Sequence, residues 1–215
     1  MKPFVPVFQH REWVSGARAL HLYVLPDPAV DTELFALVAA CRTAMQGYPI
    51  WCLPDDLLHI TVEMDAWATS DHIGVAQRAD LVAALTTRLS NFDSFTLLCG
   101  SPIANRAGTL LDTYPDQPFT ALQNLARAAL WEVHDSPAIA HDSGRGHASL
   151  GYAYEEADSD PLQSALRRIT PSHAPLTVSR LHLLDVEWTA HPVPDGGVRW
   201  ELTWEPLAAI PLGKP

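Results

Sequence analysis

The chain is poor in cations, poor in thiols and without a long apolar run. Of its 215 residues, 14 are Lys or Arg against 25 Asp or Glu, a formal charge of −11. That balance excludes a broad nucleic-acid footprint, which needs a basic stripe to displace counterions from phosphates. A small anion is still admissible, because a site can be locally positive inside an acidic protein. No stretch approaches the roughly 18 apolar residues of a membrane span. Met1 to Gly16 carries Lys2, His10, Arg11 and Glu12 and has no apolar core. It does not read as a secretory signal, and a cytoplasmic location is expected. Cys41, Cys52 and Cys99 are odd in number and far apart, which excludes a disulfide framework or structural zinc knuckle and leaves three reduced thiols in or near the core. The ten histidines include no His-x-His or His-Glu-x-x-His pattern, so neither metal nor other cofactor is expected.

What is present is a full core, with 47% hydrophobic residues, and a regular succession of elements. Residues 1–18 read as an irregular lead-in, since Pro3 and Pro6 disfavour a regular element. Ala19–Leu25 alternates as a strand, with Leu20, Leu22 and Val24 on one face and His21 and Tyr23 on the other. Asp31 is the expected N-cap of a helix from Thr32 to Met45 that buries Leu34, Val38, Cys41 and Met45. Asp71–Leu89 has helical spacing at Val75, Ala79, Val82, Leu85 and Leu89, and Pro118–His134 has it at Leu122, Leu125, Ala129 and Val133. Short strands are expected at Phe95–Cys99 and Thr109–Asp112, and a short helix at Pro161–Ile169. Residues 135–146 are expected to form a loop. Two C-terminal strands, Leu176–Trp188 and Val198–Trp204, flank a Pro194-Asp195-Gly196-Gly197 turn, and an extended tail follows.

Two stretches stand apart. Leu58-His59-Ile60-Thr61-Val62 lies in an expected strand from Leu57 to Met64, and Gly146-His147-Ala148-Ser149-Leu150 opens one from Gly146 to Tyr154. Residues two apart on a strand share a face, so each motif presents an imidazole beside a hydroxyl. In the first strand, Leu58, Ile60, Val62 and Met64 should pack inward, with His59, Thr61 and Glu63 on the other surface. Strand–helix–strand–helix–strands is followed by helix–strand–helix–strands. The order makes two α+β halves with one motif each.

The paired His-x-Thr/Ser-hydrophobic motifs, His59-Ile60-Thr61-Val62 and His147-Ala148-Ser149-Leu150, resemble those of the 2H phosphoesterase superfamily, which includes 2′-5′ RNA ligases and 2′,3′-cyclic phosphodiesterases. The lead-in Pro54-Asp55-Asp56-Leu57-Leu58 and the trailing Gly151-Tyr152 are also similar, whereas Arg145-Gly146 stands where the family often has an aromatic and a proline. The resemblance implies a bilobal, pseudo-duplicated α+β domain over residues 1–215. In it, two antiparallel sheets line a central cleft, with helices outside. It implies metal-independent hydrolysis of a 2′,3′-cyclic phosphate on a small nucleotide or RNA 3′ end, with 2′-5′ ligation as the reverse reaction. A monomer is expected, without duplex nucleic acid or membrane as partner.

The residues suit that chemistry. Opening a cyclic phosphodiester needs a base for water, an acid for the departing ribose oxygen and donors to the phosphoryl oxygens. His59 and His147 can serve as acid and base in either order, since imidazole titrates near neutrality. Thr61 and Ser149 can donate to phosphate oxygens. His21 could reach the phosphate, Tyr23 could stack on a base, and Arg145 could supply positive charge. His182 with Arg180 poses the same question on a C-terminal strand. Trp51 and Trp67 are the tryptophans expected nearest a ligand, while His10, His72, His134, His141, His173 and His191 read as surface residues. Two other readings compete: an inactive nucleotide-binding module of the same fold and, less favoured, a metal-dependent hydrolase.

Overall fold

A computed structural model of the chain describes residues 1–134, 144–194 and 196–213. Residues 135–143 of the expected 135–146 loop, with His141, and Asp195 of the expected turn lie outside the described residues. Among the described residues, eleven strands and four helices run in the order β1 (Val7–Phe8), β2 (Arg11–Glu12), β3 (Arg18–Val24), α1 (Thr32–Met45), β4 (Ile50–Cys52), β5 (Ile60–Met64), α2 (Val75–Leu89), β6 (Phe95–Ala104), β7 (Gly108–Tyr114), α3 (Asp116–His134), β8 (His147–Ala153), α4 (Asp160–Leu166), β9 (His173–Val178), β10 (Arg180–Pro192) and β11 (Val198–Pro211). The α+β class is as expected. The lead-in, however, contains the small β1–β2 hairpin. Strand β4 was not legible, and the extended tail is the second half of β11.

Helix α1 buries the expected stripe plus Leu37. Asp31 does not cap it through its side chain. Its buried carboxylate instead accepts N–H bonds from Asp27 (2.8 Å) and Thr177 (3.0 Å), fastening the helix start to β9. Helix α2 starts later than expected, because a 3₁₀ turn occupies Ser70–His72 and Gly74 N–H donates to Gln77 Oε1 at 3.0 Å. Its buried face is Leu81, Ala84, Leu85 and Leu89, and Val75 is left exposed.

The sheet order is β11-β10-β3-β5-β8-β7-β6-β9, with β4 also paired to β8. Every pairing is antiparallel. The two expected sheets are therefore two halves of one continuous nine-stranded sheet. They meet along β5 and β8 at a single bridged pair, Ile60↔Ala148. So narrow a seam lets the halves splay while remaining hydrogen-bonded. Behind the half holding β5, α2 and α3 pack on each other and on β11 and β5; behind the other, α1 and α4 pack on β8, β9 and β6. Each half thus borrows a helix from the other half of the sequence. Pieces of the chain far apart in sequence share one apolar cluster that spans Leu20 to Leu212.

Alternation along both motif strands is interrupted by a bulge. The β3–β5 register shifts between Leu22 and Tyr23, so that Leu22 opposes Glu63 and Tyr23 opposes Thr61. One extra residue turns the rest of the strand over. Glu63 therefore leaves the His59–Thr61 face, becomes buried and pairs with Arg127 of α3 at 2.6 Å. Met64 turns onto the His59–Thr61 face instead. These are the reverse of the expected orientations. Strand β8 has the matching shift between Thr109 and Leu110 of β7, with Gly151 opposing Thr109 and Ser149 opposing Leu110. A Cβ on Gly151 would lie 2.7 Å from both Ile50 Cγ2 and the Trp51 carbonyl oxygen, which is why glycine stands where the first motif strand has Glu63.

Candidate active site

The central residue of each motif forms the seam pair, Ile60 against Ala148. Both are fully buried and point to the core. In an antiparallel register their neighbours then project to the opposite face, His59 across from Ser149 and Thr61 across from His147. All four side chains line one cavity of about 250 Å³. With the bulges included, each strand adds a third side chain five residues after its histidine: Met64 after His59 and Tyr152 after His147.

The histidines are oriented alike. His59 Nδ1 lies 2.8 Å from the Leu57 carbonyl and His147 Nδ1 lies 3.1 Å from the Arg145 carbonyl. His21, on β3 in the same cavity, makes the same contact with the Ala19 carbonyl at 3.1 Å. A carbonyl can only accept, so in each ring Nδ1 carries the proton and donates, leaving Nε2 as the nitrogen for proton transfer when the ring is neutral. Burial drives the His59 pKa down to about 4, with the neighbouring His147 adding to the effect. The Tyr23 ring stacks on His59 at 4.2 Å, and Trp204 meets both rings edge-on at 5.6 Å.

The hydroxyl residues are also paired. Tyr23 shares a hydrogen bond with Thr61, and Tyr152 with Ser149. Burial raises both phenol pKa values, that of Tyr152 to about 12, so both phenols stay neutral and can hold the Thr and Ser hydroxyls in place.

His21, Tyr23, His59, Thr61, His147 and Ser149 are therefore brought together. Arg145 is not among the cavity residues. Its exposed guanidinium lies 3.5 Å from Asp112 and 3.2 Å from Asp116. Neither Trp51 nor Trp67 lines the cavity. Trp51 stacks behind Tyr152, and Trp67 stacks on His134 at 4.9 Å. His134 is buried rather than superficial, 3.0 Å from the Asp65 carboxylate. His182 and Arg180 line a separate cavity with Asp27 and Asp31. The tryptophans that do reach the site are Trp13 and Trp188, joined by Phe4 from the lead-in. No local pattern marked these three, since the lead-in and the sheet bring them in from both ends of the chain. Among the described residues, no group of three or more His, Cys, Asp or Glu side chains is disposed to hold a metal ion, and no helix is long and apolar enough to cross a membrane.

No protein-family model matches the chain and no curated protein matches it. Solved structures do. A crystal structure of a phosphoesterase is 15% identical, with a TM-score of 0.63 over 92% of this chain and 99% of that one. TT0787 of Thermus thermophilus is also 15% identical, with a TM-score of 0.64 over 90% and 97%. E. coli LigT in apo form is 14% identical, with a TM-score of 0.59 over 93% and 100%. The chain therefore has the fold of these structures, a phosphoesterase and LigT among them.

Proposed function

We propose that the chain is a 2H phosphoesterase, a metal-independent phosphodiesterase that hydrolyses the 2′,3′-cyclic phosphate of a nucleotide or RNA end. The observation that carries this reading is the seam: Ile60↔Ala148 sets two His-x-Thr/Ser motifs side by side in one cavity, with both imidazoles held through Nδ1. The reading is supported by E. coli LigT, a structure of the same fold, which was crystallised complexed with phosphate and with 3′-AMP.

His59, kept neutral by burial, is the base. Its Nε2 takes a proton from water as the water oxygen attacks phosphorus. His147, the less buried of the two, is the acid. It gives its Nε2 proton to the ribose oxygen as that P–O bond breaks. Thr61 and Ser149 donate to the non-bridging oxygens, oriented by Tyr23 and Tyr152. The cycle ends with His59 protonated and His147 neutral, and solvent exchange resets them. The location proposed is the cytoplasm. The test is hydrolysis of adenosine 2′,3′-cyclic phosphate with and without EDTA. Turnover that survives EDTA and is abolished by either His59→Ala or His147→Ala is the expected result. Nucleotide binding without turnover by the native protein would leave the inactive binding module as the better description.

A further inference from the structure

Residues 1–17 run across the cavity. The Phe4 N–H donates to the Ala153 carbonyl at the end of β8 (2.7 Å) and the Lys2 N–H to the Arg106 carbonyl (2.6 Å). Further along, Gln9 Nε2 donates to the Ala66 carbonyl just past β5 (2.7 Å), and the Gly16 N–H to the Trp188 carbonyl on β10 (2.9 Å). One segment is thus fastened to both halves of the sheet. Between the fastenings, Phe4, Pro6, Val7 and Trp13 face the cavity. The Phe4 ring stacks on Tyr152 at 4.3 Å and lies 5.2 Å from Trp188.

Behind the Phe4–Tyr152 stack lies a smaller cavity of about 130 Å³. It shares Phe4, Tyr152, His147 and Ser149 with the larger one, and residues from the β6–β7 hairpin complete its walls. The two rings therefore partition the space around the second motif. Charge is the other constraint. No Lys, Arg, Asp or Glu lines the main cavity among the described residues.

A cavity of 250 Å³ lies below the common range of ligand pockets, roughly 300–1,000 Å³. Aromatic faces hold bases by stacking without reading their edges. A phosphodiester carries one negative charge, which one protonated imidazole can meet. Each additional phosphate would have to be desolvated beside aromatic rings with no Lys or Arg among the described lining residues to pair it.

We propose that residues 1–17 are a specificity strap that makes the cavity a chamber for one nucleoside bearing one singly charged phosphodiester. Phe4 is the partition that excludes a second nucleotide, and a described lining without Lys or Arg disfavours 5′-phosphorylated forms. This rests on the phosphodiesterase reading above.

The probes are adenosine 2′,3′-cyclic phosphate, its 5′-phosphorylated form, and a dinucleotide ending in the same cyclic phosphate. The wild-type protein should favour the first over each of the others at least 10-fold in kcat/KM. Phe4→Ala and the milder Phe4→Leu, which keeps the apolar contact, should reduce the preference over the dinucleotide at least fivefold while the preference over the 5′-phosphate persists. Equal handling of mononucleotide and dinucleotide by the wild type, or an unchanged preference in both Phe4 variants, overturns the strap. The same ratios are read as Kd from tryptophan fluorescence in His59→Asn protein. A preference in Kd without wild-type turnover upholds the strap and defeats the hydrolase. Turnover of all three without preference does the reverse, and binding of none defeats both.

Discussion

The two motif strands carry the same polar pair in different surroundings. In the first, His59 is 3% exposed, stacked under Tyr23 and flanked by Trp204. In the second, His147 is half-buried, opens a strand, and hangs from the carbonyl of the exposed Arg145. The same contrast continues behind the cavity. The residue four places after the histidine is Glu63 in one strand, ion-paired to Arg127 of α3, and Gly151 in the other, pressed against β4. The same side chain thus sits in two different surroundings, and burial lowers the pKa of the more deeply buried one, His59.

Experiments that remove the comparison altogether should have the largest effects. His59→Ala and His147→Ala should each lower kcat by roughly 10³-fold or more, since general acid–base groups contribute about 10²–10⁴. Comparable residual activity in one of them would show that the halves are not both catalytic. Next, Thr61→Val and Ser149→Ala should each cost roughly 100-fold in kcat with little change in KM, the expectation for donors used in the transition state. A pure KM effect would reassign them to ground-state binding.

The asymmetry itself is tested by pH. If His59 is the base, the acid limb of kcat/KM lies close to pH 4, not near 6.5. Between those values the unfolded chain binds a proton at this residue and the folded protein does not. Stability therefore falls as pH drops from 6.5 toward 4, by up to about 3 kcal/mol. The loss should be complete below the folded value and absent above the unfolded one. Chemical denaturation across this window should show a flatter profile for His59→Phe than for the wild type.

Gly151→Ala asks whether the second strand tolerates what the first carries. Backbone and side-chain contacts at 2.7 Å predict a destabilisation of roughly 1–3 kcal/mol, read as a lowered Tm. The smallest effect belongs to Arg145→Ala. Its guanidinium is engaged by Asp112 and Asp116 outside the cavity, and exposed pairs of this kind contribute about 0–1 kcal/mol. KM should move less than about threefold. A large rise in KM would restore Arg145 to the anion site.

Local pattern was enough for the elements that bury a regular stripe. Helix α1 emerged with its expected boundaries and Leu34, Val38, Cys41 and Met45 inside. The two motif strands were found because a hydroxyl two residues after a histidine must share its face. The readings that failed did so where a tertiary partner intervened. Asp31 was taken from its cap by β9, and Val75 was left outside when α2 buried the face of Leu81, Ala84, Leu85 and Leu89. The alternation beyond Thr61 was inverted by a bulge that only the pairing with β3 reveals.

The sequence by itself determined the α+β class, the two His-x-hydroxyl pairs and the scarcity of cations in the chain as a whole, because these rest on composition and on periodicities of two and 3.6 residues. The tertiary structure decided the rest. It joined the halves through one bridge between the motif centres and exchanged a helix between them. It buried one histidine more deeply than the other, and it drew Phe4, Trp13 and Trp188 to the cavity from both ends of the chain. These outcomes depend on long-range pairing register and desolvation, and neither is written in any local stretch of residues.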